Sequence, residues 1–325
     1  MRRLMHVILV AAFLAAPVSF AQNTIRVGLQ STGTFSWVAH AMEYFNVPGS
    51  YGVTIEPIMY ATKQASELAL RAGEVDIVVD DFVGAVQMRE RGVPVQVIYP
   101  YGKAVGGVVV PADSDVQTVA DLRGKTVAAA SLDDKSLLIL RALTSTKYGF
   151  DPQVDGQTLD AAPWLMTGLM DSGDIDAGIP YWHFVSRMTY NGEYRDVMMV
   201  SDMLAELGLR SDLPILVLVA RDELDASLKT TFIEMMLDTT AQMAAAPRDG
   251  FWQSVLDEEL YSLPDPSAFP EVIERWVAGL PDGWTDEQIT GLSELVEQLI
   301  EIAGSELVGI DEIPADAYTT AFVPN

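Results

Sequence analysis

The stretch ALRAGEVDIVVDD, residues 69–81, contains the end of a helix, a turn and a strand. Apolar residues at helical spacing in residues 62–72 predict a helix, and Gly73 follows it, where a glycine commonly ends a helix. Residues 75–79 then form an apolar run, which is typical of a strand buried on both faces. This order favours a parallel sheet covered by helices.

The same alternation continues on both sides of this stretch. Strands are predicted at residues 24–29, 53–58 and 95–99, and helices at 35–45 and 83–91. Together with the helix and strand of the central stretch, they give a βαβαβ order. That order predicts an α/β protein with a doubly wound parallel sheet.

A second α/β unit follows in residues 112–211, and a strand at 215–220 leads back to the first unit. The chain is then mainly helical from residue 226 to residue 303. We therefore expect two doubly wound sheets in two lobes, a hinge between them and a helical C-terminal segment. The predicted parts are lobe 1 at 22–111 plus 212–325, lobe 2 at 112–211, and hinge crossings near 102–112 and 210–216.

The N-terminus has the pattern of a secretory signal. Arg2 and Arg3 precede an apolar run at residues 7–16, which is short for a membrane span. Small residues then flank a cleavage site, so we predict a signal peptide of residues 1–21 that is cleaved before Gln22. Because no cysteine lies near that site, no lipid anchor is expected, and the mature protein is expected to be free in the periplasm.

The composition excludes several classes of function. The chain has no cysteine, which rules out disulfides, thiol nucleophiles and thiolate metal sites. Its 46 acidic residues against 20 basic ones disfavour nucleic acid and anionic membranes as partners. Beyond the signal peptide only His40 and His183 remain, so a histidine-rich metal site is not available. We expect no metal and no cofactor.

Several segments resemble one family of proteins along nearly the whole mature chain. They are GTFSW at 33–37, ALRAGEVD at 69–76, VADLRGKTV at 119–127, DEQI at 286–289 and the tail at 313–324. These segments resemble the periplasmic substrate-binding proteins of ABC importers for nitrate, sulfonates, taurine and pyrimidine precursors of thiamine. The resemblance implies a type II periplasmic binding fold, a small-molecule ligand, a permease partner in the inner membrane and a monomeric binding protein without cofactor.

A narrower resemblance leaves two alternatives open. The segments DDKSL at 133–137, LRA at 140–142 and YWHF at 181–184 are similar to a branch associated with periplasmic alcohol oxidation by quinoprotein enzymes. One alternative is therefore an accessory or sensor binding protein for that process. The other is a pyrimidine-precursor enzyme on the same fold, which the absence of cysteine and of recognisable catalytic motifs disfavours.

Candidate ligand-binding residues follow the strands, because ligands of parallel sheets bind beyond the carboxyl ends of strands. Some of them have an ordinary structural explanation as well. Phe35 is equally compatible with core packing, and Thr62 and Asp81 are typical helix caps. The predicted set is Thr34, Phe35, Trp37, Thr62, Lys63, Asp80, Asp81, Asp134, Lys135, Ser136, Trp164, Tyr181, Trp182 and His183.

The same residues suggest a ligand class. Asp80 follows a buried strand and is expected to accept a hydrogen bond or an ion pair from the ligand. Trp37, Trp164 and Trp182 are expected to supply aromatic faces. Lys63 or Lys135 could hold an anion at its helix start, but a lysine there is commonly a solvated surface residue. No arginine stands at a strand end beyond the first turn. We therefore hypothesise a neutral or cationic ligand with aromatic or amine character.

Overall fold

The computed structural model describes residues 23–31, 33–103, 106–263 and 265–324. The predicted signal peptide and its cleavage site lie outside these residues. The strands are β1 (Thr24–Gln30), β2 (Thr54–Tyr60), β3 (Ile77–Asp81), β4 (Val95–Lys103), β5 (Gly107–Pro111), β6 (Thr126–Ala129), β7 (Gln157–Asp160), β8 (Ala177–Ile179), β9 (Tyr194–Met199) and β10 (Pro214–Arg221).

The helices occupy the predicted positions, and four short ones, α2, α6, α9 and α14, were not predicted. Their bounds are α1 (Phe35–Tyr44), α2 (Val47–Tyr51), α3 (Lys63–Ala72), α4 (Phe82–Glu90), α5 (Lys135–Leu143), α6 (Pro152–Asp155), α7 (Pro163–Asp171), α8 (Trp182–Thr189), α9 (Val200–Glu206), α10 (Ala226–Ala245), α11 (Gln253–Asp257), α12 (Phe269–Ala278), α13 (Asp286–Ala303) and α14 (Ser305–Val308). No helix of the described chain is both long enough and apolar enough to cross a bilayer.

The strands form two sheets of five. Sheet 1 has the order β2-β1-β3-β10-β4 and sheet 2 has the order β7-β6-β8-β5-β9. Within each sheet the first three strands are parallel, as the alternation predicts. The sheets are mixed and not wholly parallel, because β10 and β5 run antiparallel to both of their neighbours. The chain reaches β5 from sheet 1 and reaches β10 from sheet 2. Neither strand is therefore joined to a preceding strand of its own sheet by a crossover helix, which is the connection that makes neighbouring strands parallel.

The chain passes between the sheets twice. It leaves sheet 1 at the end of β4 and enters sheet 2 at β5, and it returns between α9 and β10. Residues 107–111, which the sequence-based boundary assigned to lobe 1, are hydrogen-bonded in sheet 2. The remaining lobe boundaries stay a prediction.

The central stretch shows why the first sheet has this register. Strand β3 begins at Ile77, two residues later than predicted. Val75 and Asp76 belong to the preceding turn, which they hold against β1. The Asp76 carboxylate accepts hydrogen bonds from the backbone N–H of Arg26 at 2.9 Å and from its guanidinium Nε at 3.0 Å. Val75 is fully buried. The ion pair of Asp76 with Arg26 therefore fixes the start of β3 beside β1.

The helical C-terminal segment, which the sequence assigned to lobe 1, also contacts helices that follow strands of sheet 2. Helix α12 packs against α8 and α13 packs against α5, both of which follow strands of sheet 2. The hydroxyl of Thr189 donates a 2.7 Å hydrogen bond to Glu271 across the first of these contacts. The tail then runs beside β4, where Val97 exchanges backbone hydrogen bonds with Ala317 at 2.9 Å and Thr319 at 3.1 Å.

Gly28 provides a test of the close packing in sheet 1. A Cβ atom at this position would lie 2.9 Å from Cγ1 of Val78 and 3.3 Å from Cγ2 of Val75, which are stiff branched side chains and fully buried. We expect Gly28→Ala to lower the free energy of unfolding by about 1–3 kcal/mol, measured by urea denaturation. Gly168→Ala is the control, because its Cβ would meet nothing within 4 Å on an exposed face of α7. Equal stability of the two variants would contradict this account.

Candidate ligand-binding cleft

A cavity of about 530 Å³ lies between the two sheets at the carboxyl ends of their parallel strands. Sheet 1 contributes the residues that follow β1, β2 and β3, and sheet 2 contributes those that follow β6, β7 and β8. Thirteen of the fourteen predicted residues line it. They are Thr34, Phe35, Thr62, Lys63, Asp80, Asp81, Asp134, Lys135, Ser136, Trp164, Tyr181, Trp182 and His183.

Trp37 is the exception, and its predicted contact with the ligand is wrong. Only 1% of this residue is exposed, and its indole Nε1 donates a hydrogen bond to the backbone oxygen of Leu260 at 3.3 Å. Its ring packs edge-on against Trp182 and Tyr261, with centroids 6.2 Å and 5.0 Å apart. Trp37 therefore supports Trp182 from behind and presents no face to the cavity.

Thr34 and Phe35 line the cavity from well-packed positions. The hydroxyl oxygens of Thr34 and Tyr101 are 3.1 Å apart, and the ring of Phe35 packs edge-on against Tyr101 at 5.3 Å. Phe35 is only 4% exposed. Core packing is therefore its main role, which was one of the two interpretations.

Lys63 is not the solvated residue that we expected. Its ammonium is ion-paired with Asp80 at 2.8 Å and with Asp81 at still closer range, and Glu67 lies 3.3 Å away. Asp80 and Asp81 are both buried at the end of β3. Two buried carboxylates in succession require a nearby cation, and the first turn of α3 supplies it.

Asp81 and Asp80 have different environments although they are adjacent. Oδ1 of Asp81 accepts a 2.7 Å hydrogen bond from the backbone N–H of Gly84 and so caps α4, as one interpretation held. Burial pushes the pKa of Asp81 up, but the charges of Lys63 and Lys135 outweigh it and hold that pKa at about 2.

Asp80 has the less favourable position. Its Oδ1 accepts a hydrogen bond from the backbone N–H of Asp81 at 2.7 Å, and its buried Oδ2 has no partner among the described residues. Burial raises the pKa of Asp80 to about 7 in spite of Lys63. A Cβ at Gly84 would lie 2.8 Å from Oδ1 and 2.9 Å from Oδ2, so only glycine leaves room for this carboxyl. Asp80 is 1% exposed and its Oδ1 is already paired, so only Oδ2 is left for a ligand, and Asp80 is not the accessible carboxylate that we expected.

Helix α5 brings a second lysine to the cavity. Asp134 caps the helix by accepting hydrogen bonds from the backbone N–H groups of Ser136 at 2.8 Å and Leu137 at 3.4 Å. The ammonium of Lys135 donates to the backbone oxygen of Asp133 at 3.1 Å and lies 4.0 Å from Oδ1 of Asp81. Lys135 is 8% exposed, so it too is not a solvated surface residue. It forms an electrostatic contact between the two sides of the cleft.

The opposite wall is aromatic. Trp164 is 58% exposed and Tyr181 is 41% exposed, at the starts of α7 and α8, and neither helix start has a side-chain cap in the described chain. His183 is 5% exposed, and burial followed by the charge of Arg187 lowers the pKa of its imidazole to about 3. His183 is therefore neutral at physiological pH, and its Nδ1 has no partner among the described residues.

Sequence reasoning missed several residues that line the cavity, among them Gln30, Lys103, Asp133 and Asp160. Asp160 is the last residue of β7, and Asp80 is the last but one of β3. The rule that ligands bind beyond the carboxyl ends of strands, here called the strand-end rule, was therefore sufficient to find Asp160. Lys103 lies near the end of β4, which extends four residues beyond the predicted strand and so places this residue at the cavity.

Residues 46–254, more than half of the chain, match the family model described as the periplasmic substrate-binding protein of phosphonate ABC transporters. The chain belongs to this family. As a substrate-binding protein it is the solute-binding component of an ABC import system, which confirms the resemblance found in the sequence. Family membership implies a periplasmic location, a small-molecule ligand and a permease partner.

Solved structures of other binding proteins share the fold, which confirms the two-lobed type II architecture. The alkanesulfonate-binding protein SsuA from Xanthomonas axonopodis pv. citri, bound to MOPS, has a TM-score of 0.69 and 17% identity over 91% of this chain and 98% of its own. The aliphatic sulphonate binding protein SsuA from Escherichia coli has a TM-score of 0.69 and 18% identity over 89% of each chain. No curated protein sequence matches this substrate-binding protein.

Removal of the Lys63 ammonium tests the charge cluster. We expect Lys63→Gln to lower the free energy of unfolding at pH 8 by about 3–5 kcal/mol, because it leaves two buried carboxylates without their cation. The deficit should shrink as the pH falls to 5, because the folded variant then has raised carboxyl pKa values and takes up protons. Exposed Lys147→Gln is the control. A deficit no larger than that of the control at both pH values would refute the buried pairing.

Proposed function

We propose that this substrate-binding protein captures one small organic molecule in the cavity between its sheets and releases it, unchanged, to the permease. The observation that carries the proposal is the composition of the cavity wall. Residues from both sheets line a single space of about 530 Å³, which suits a small ligand. The side chains come from the strand ends at which ligands of open α/β sheets bind.

Closure of the lobes is the proposed means of capture. Two connections join the sheets, between β4 and β5 and between α9 and β10, and such a pair supports rotation of one lobe against the other. Lys135 and Asp81 stand 4.0 Å apart on opposite sides of the cleft. Closure that shortens this distance would strengthen their attraction, so this pair favours the closed state.

We further propose binding without turnover. The ionisable groups that chemistry would need are engaged in structural roles. The ammonium of Lys63 is ion-paired with Asp80 and Asp81, Asp134 caps α5, and His183 is neutral in an aromatic environment. The pKa values of Asp81 and His183, about 2 and about 3, hold each of these groups in one protonation state and make it a poor general acid or base near neutral pH.

The mature protein is proposed to be a monomer free in the periplasm that starts at Gln22. We expect intact-mass measurement of the protein purified from a periplasmic extract to give the mass of residues 22–325, and size-exclusion chromatography with light scattering to give one chain. A mass that includes residues 1–21 would contradict the predicted cleavage.

Native mass spectrometry of that periplasmic protein should show a bound small molecule. This molecule can then be used to test whether the lobes close on binding. Removal of the molecule should increase the radius of gyration measured by X-ray scattering, and its return should restore the smaller radius. The molecule recovered after incubation should be unaltered. An unchanged radius would contradict closure, and conversion of the molecule by pure protein would contradict binding without turnover.

A further inference from the structure

The charges that line the cavity are not those of an anion site. Its ionisable lining consists of five aspartates and three lysines, with neutral His183 and no arginine among the described residues. Each lysine already has a carboxylate partner: Lys63 has Asp80 and Asp81, Lys103 has Asp282 at 3.0 Å, and Lys135 has Asp81 at 4.0 Å. An anionic ligand would therefore meet an excess of negative charge.

Two exposed carboxylates on the aromatic wall, Asp133 and Asp160, have no cationic partner among the described residues, and Oδ1 of Asp133 accepts a hydrogen bond from the hydroxyl of Ser131. Asp133 follows β6, Asp160 ends β7 and Tyr181 follows β8. Because these strands are neighbours in the order β7-β6-β8 and run parallel, their carboxyl ends meet at one edge of sheet 2. Burial and then the charge of Asp134 raise the pKa of the Tyr181 phenol, Lys63 lowers it, and Asp133 and Asp160 add smaller contributions that raise it.

The same wall exposes large aromatic surfaces. Trp164 lies four residues beyond Asp160 and is 58% exposed, and Tyr181 is 41% exposed. Both rings line the cavity together with Asp133 and Asp160. An aromatic face next to a carboxylate attracts an organic cation in two ways, because the ring contributes its quadrupole and the carboxylate its negative charge.

Two buried polar atoms in the same cavity point independently to a ligand that forms hydrogen bonds. Oδ2 of Asp80 and Nδ1 of His183 are without partners among the described residues, although these residues are only 1% and 5% exposed. Both residues line the cavity. A buried polar atom without a partner destabilises the folded protein, and a ligand that hydrogen-bonds to it would remove this cost.

We propose that the ligand is an organic ammonium compound without net negative charge, held between the faces of Trp164 and Tyr181 and the carboxylates of Asp133 and Asp160. This proposal rests on the proposed function and deepens it. The backbone N–H groups at the uncapped starts of α7 and α8 then donate hydrogen bonds to a neutral acceptor atom of the ligand, such as a hydroxyl or carbonyl oxygen. The ligand thereby differs from the phosphonates and sulfonates after which the family and its structural neighbours are named.

The test compares probes of one shape and three charges. Calorimetry would measure binding of 2-phenylethylamine, 2-phenylethanol and 3-phenylpropanoate, with ethylphosphonate as a further anion. We expect the ammonium probe to bind at least about tenfold more tightly than the alcohol, as one charge-assisted hydrogen bond provides. The two anions should bind more weakly than the alcohol.

Variants assign the effect to the named residues. The double variant Asp133→Asn, Asp160→Asn should weaken binding of the ammonium probe by about ten- to a hundredfold and leave the alcohol unaffected. Trp164→Ala should weaken it by about two- to thirtyfold. Asp249→Asn and Tyr44→Ala are the controls, because they change an exposed aspartate and a half-exposed aromatic residue that do not line the cavity.

The outcomes separate this inference from the proposed function. Tighter binding of either anion, an unchanged affinity for the ammonium probe in the double variant, or no binding of that probe would each overturn the inference. If an anion binds and the radius of gyration falls, the capture function stands and only the ligand class is wrong. If native mass spectrometry finds no bound molecule and no probe of any charge binds, both proposals fail.

Discussion

The burial of two successive carboxylates at the end of β3 is the constraint on which the cleft depends. Asp81 has to face the start of α4, which it caps, and Asp80 has to lie against Gly84, so neither can turn to solvent. A cation held at this place stabilises such an arrangement. Lys63 supplies that cation from the neighbouring helix start, and Lys135 reaches the same pair from across the cleft. The position of α3 relative to β3 follows from this requirement.

Most of the fold was readable from the sequence because the period of apolar residues changes from helix to strand in short, regular blocks. The strand-end rule also found most of the cleft, since parallel strands end at a common edge whatever lies beyond them. Strand direction in β5 and β10 was not readable, because it depends on where the chain arrives from and not on the residues of the strand. The bounds of β3 and β4 shifted for a similar reason, because the register of their neighbours determines where pairing ends.

The errors at individual site residues have a shared physical origin. Trp37 is buried by Leu260 and Tyr261, which are more than two hundred residues away in sequence, so no local pattern indicates its environment. Lys63 follows a helix cap, where a lysine is commonly solvated, and only the packing of α3 beside β3 reveals its partners. The sequence therefore identified which residues come together. It did not reveal which of their charges cancel, and that cancellation decides what the cleft can bind.

The contact between Gly84 and Asp80 has a consequence for the evolution of this cleft. Any side chain at position 84 would overlap the carboxyl of residue 80, so the two positions cannot change independently. A lineage that replaces the glycine first loses stability at once, whereas one that first exchanges Asp80 for a smaller residue opens position 84 to variation. The order of substitutions is thus restricted, and an acidic residue at position 80 should occur in homologues only together with glycine at position 84.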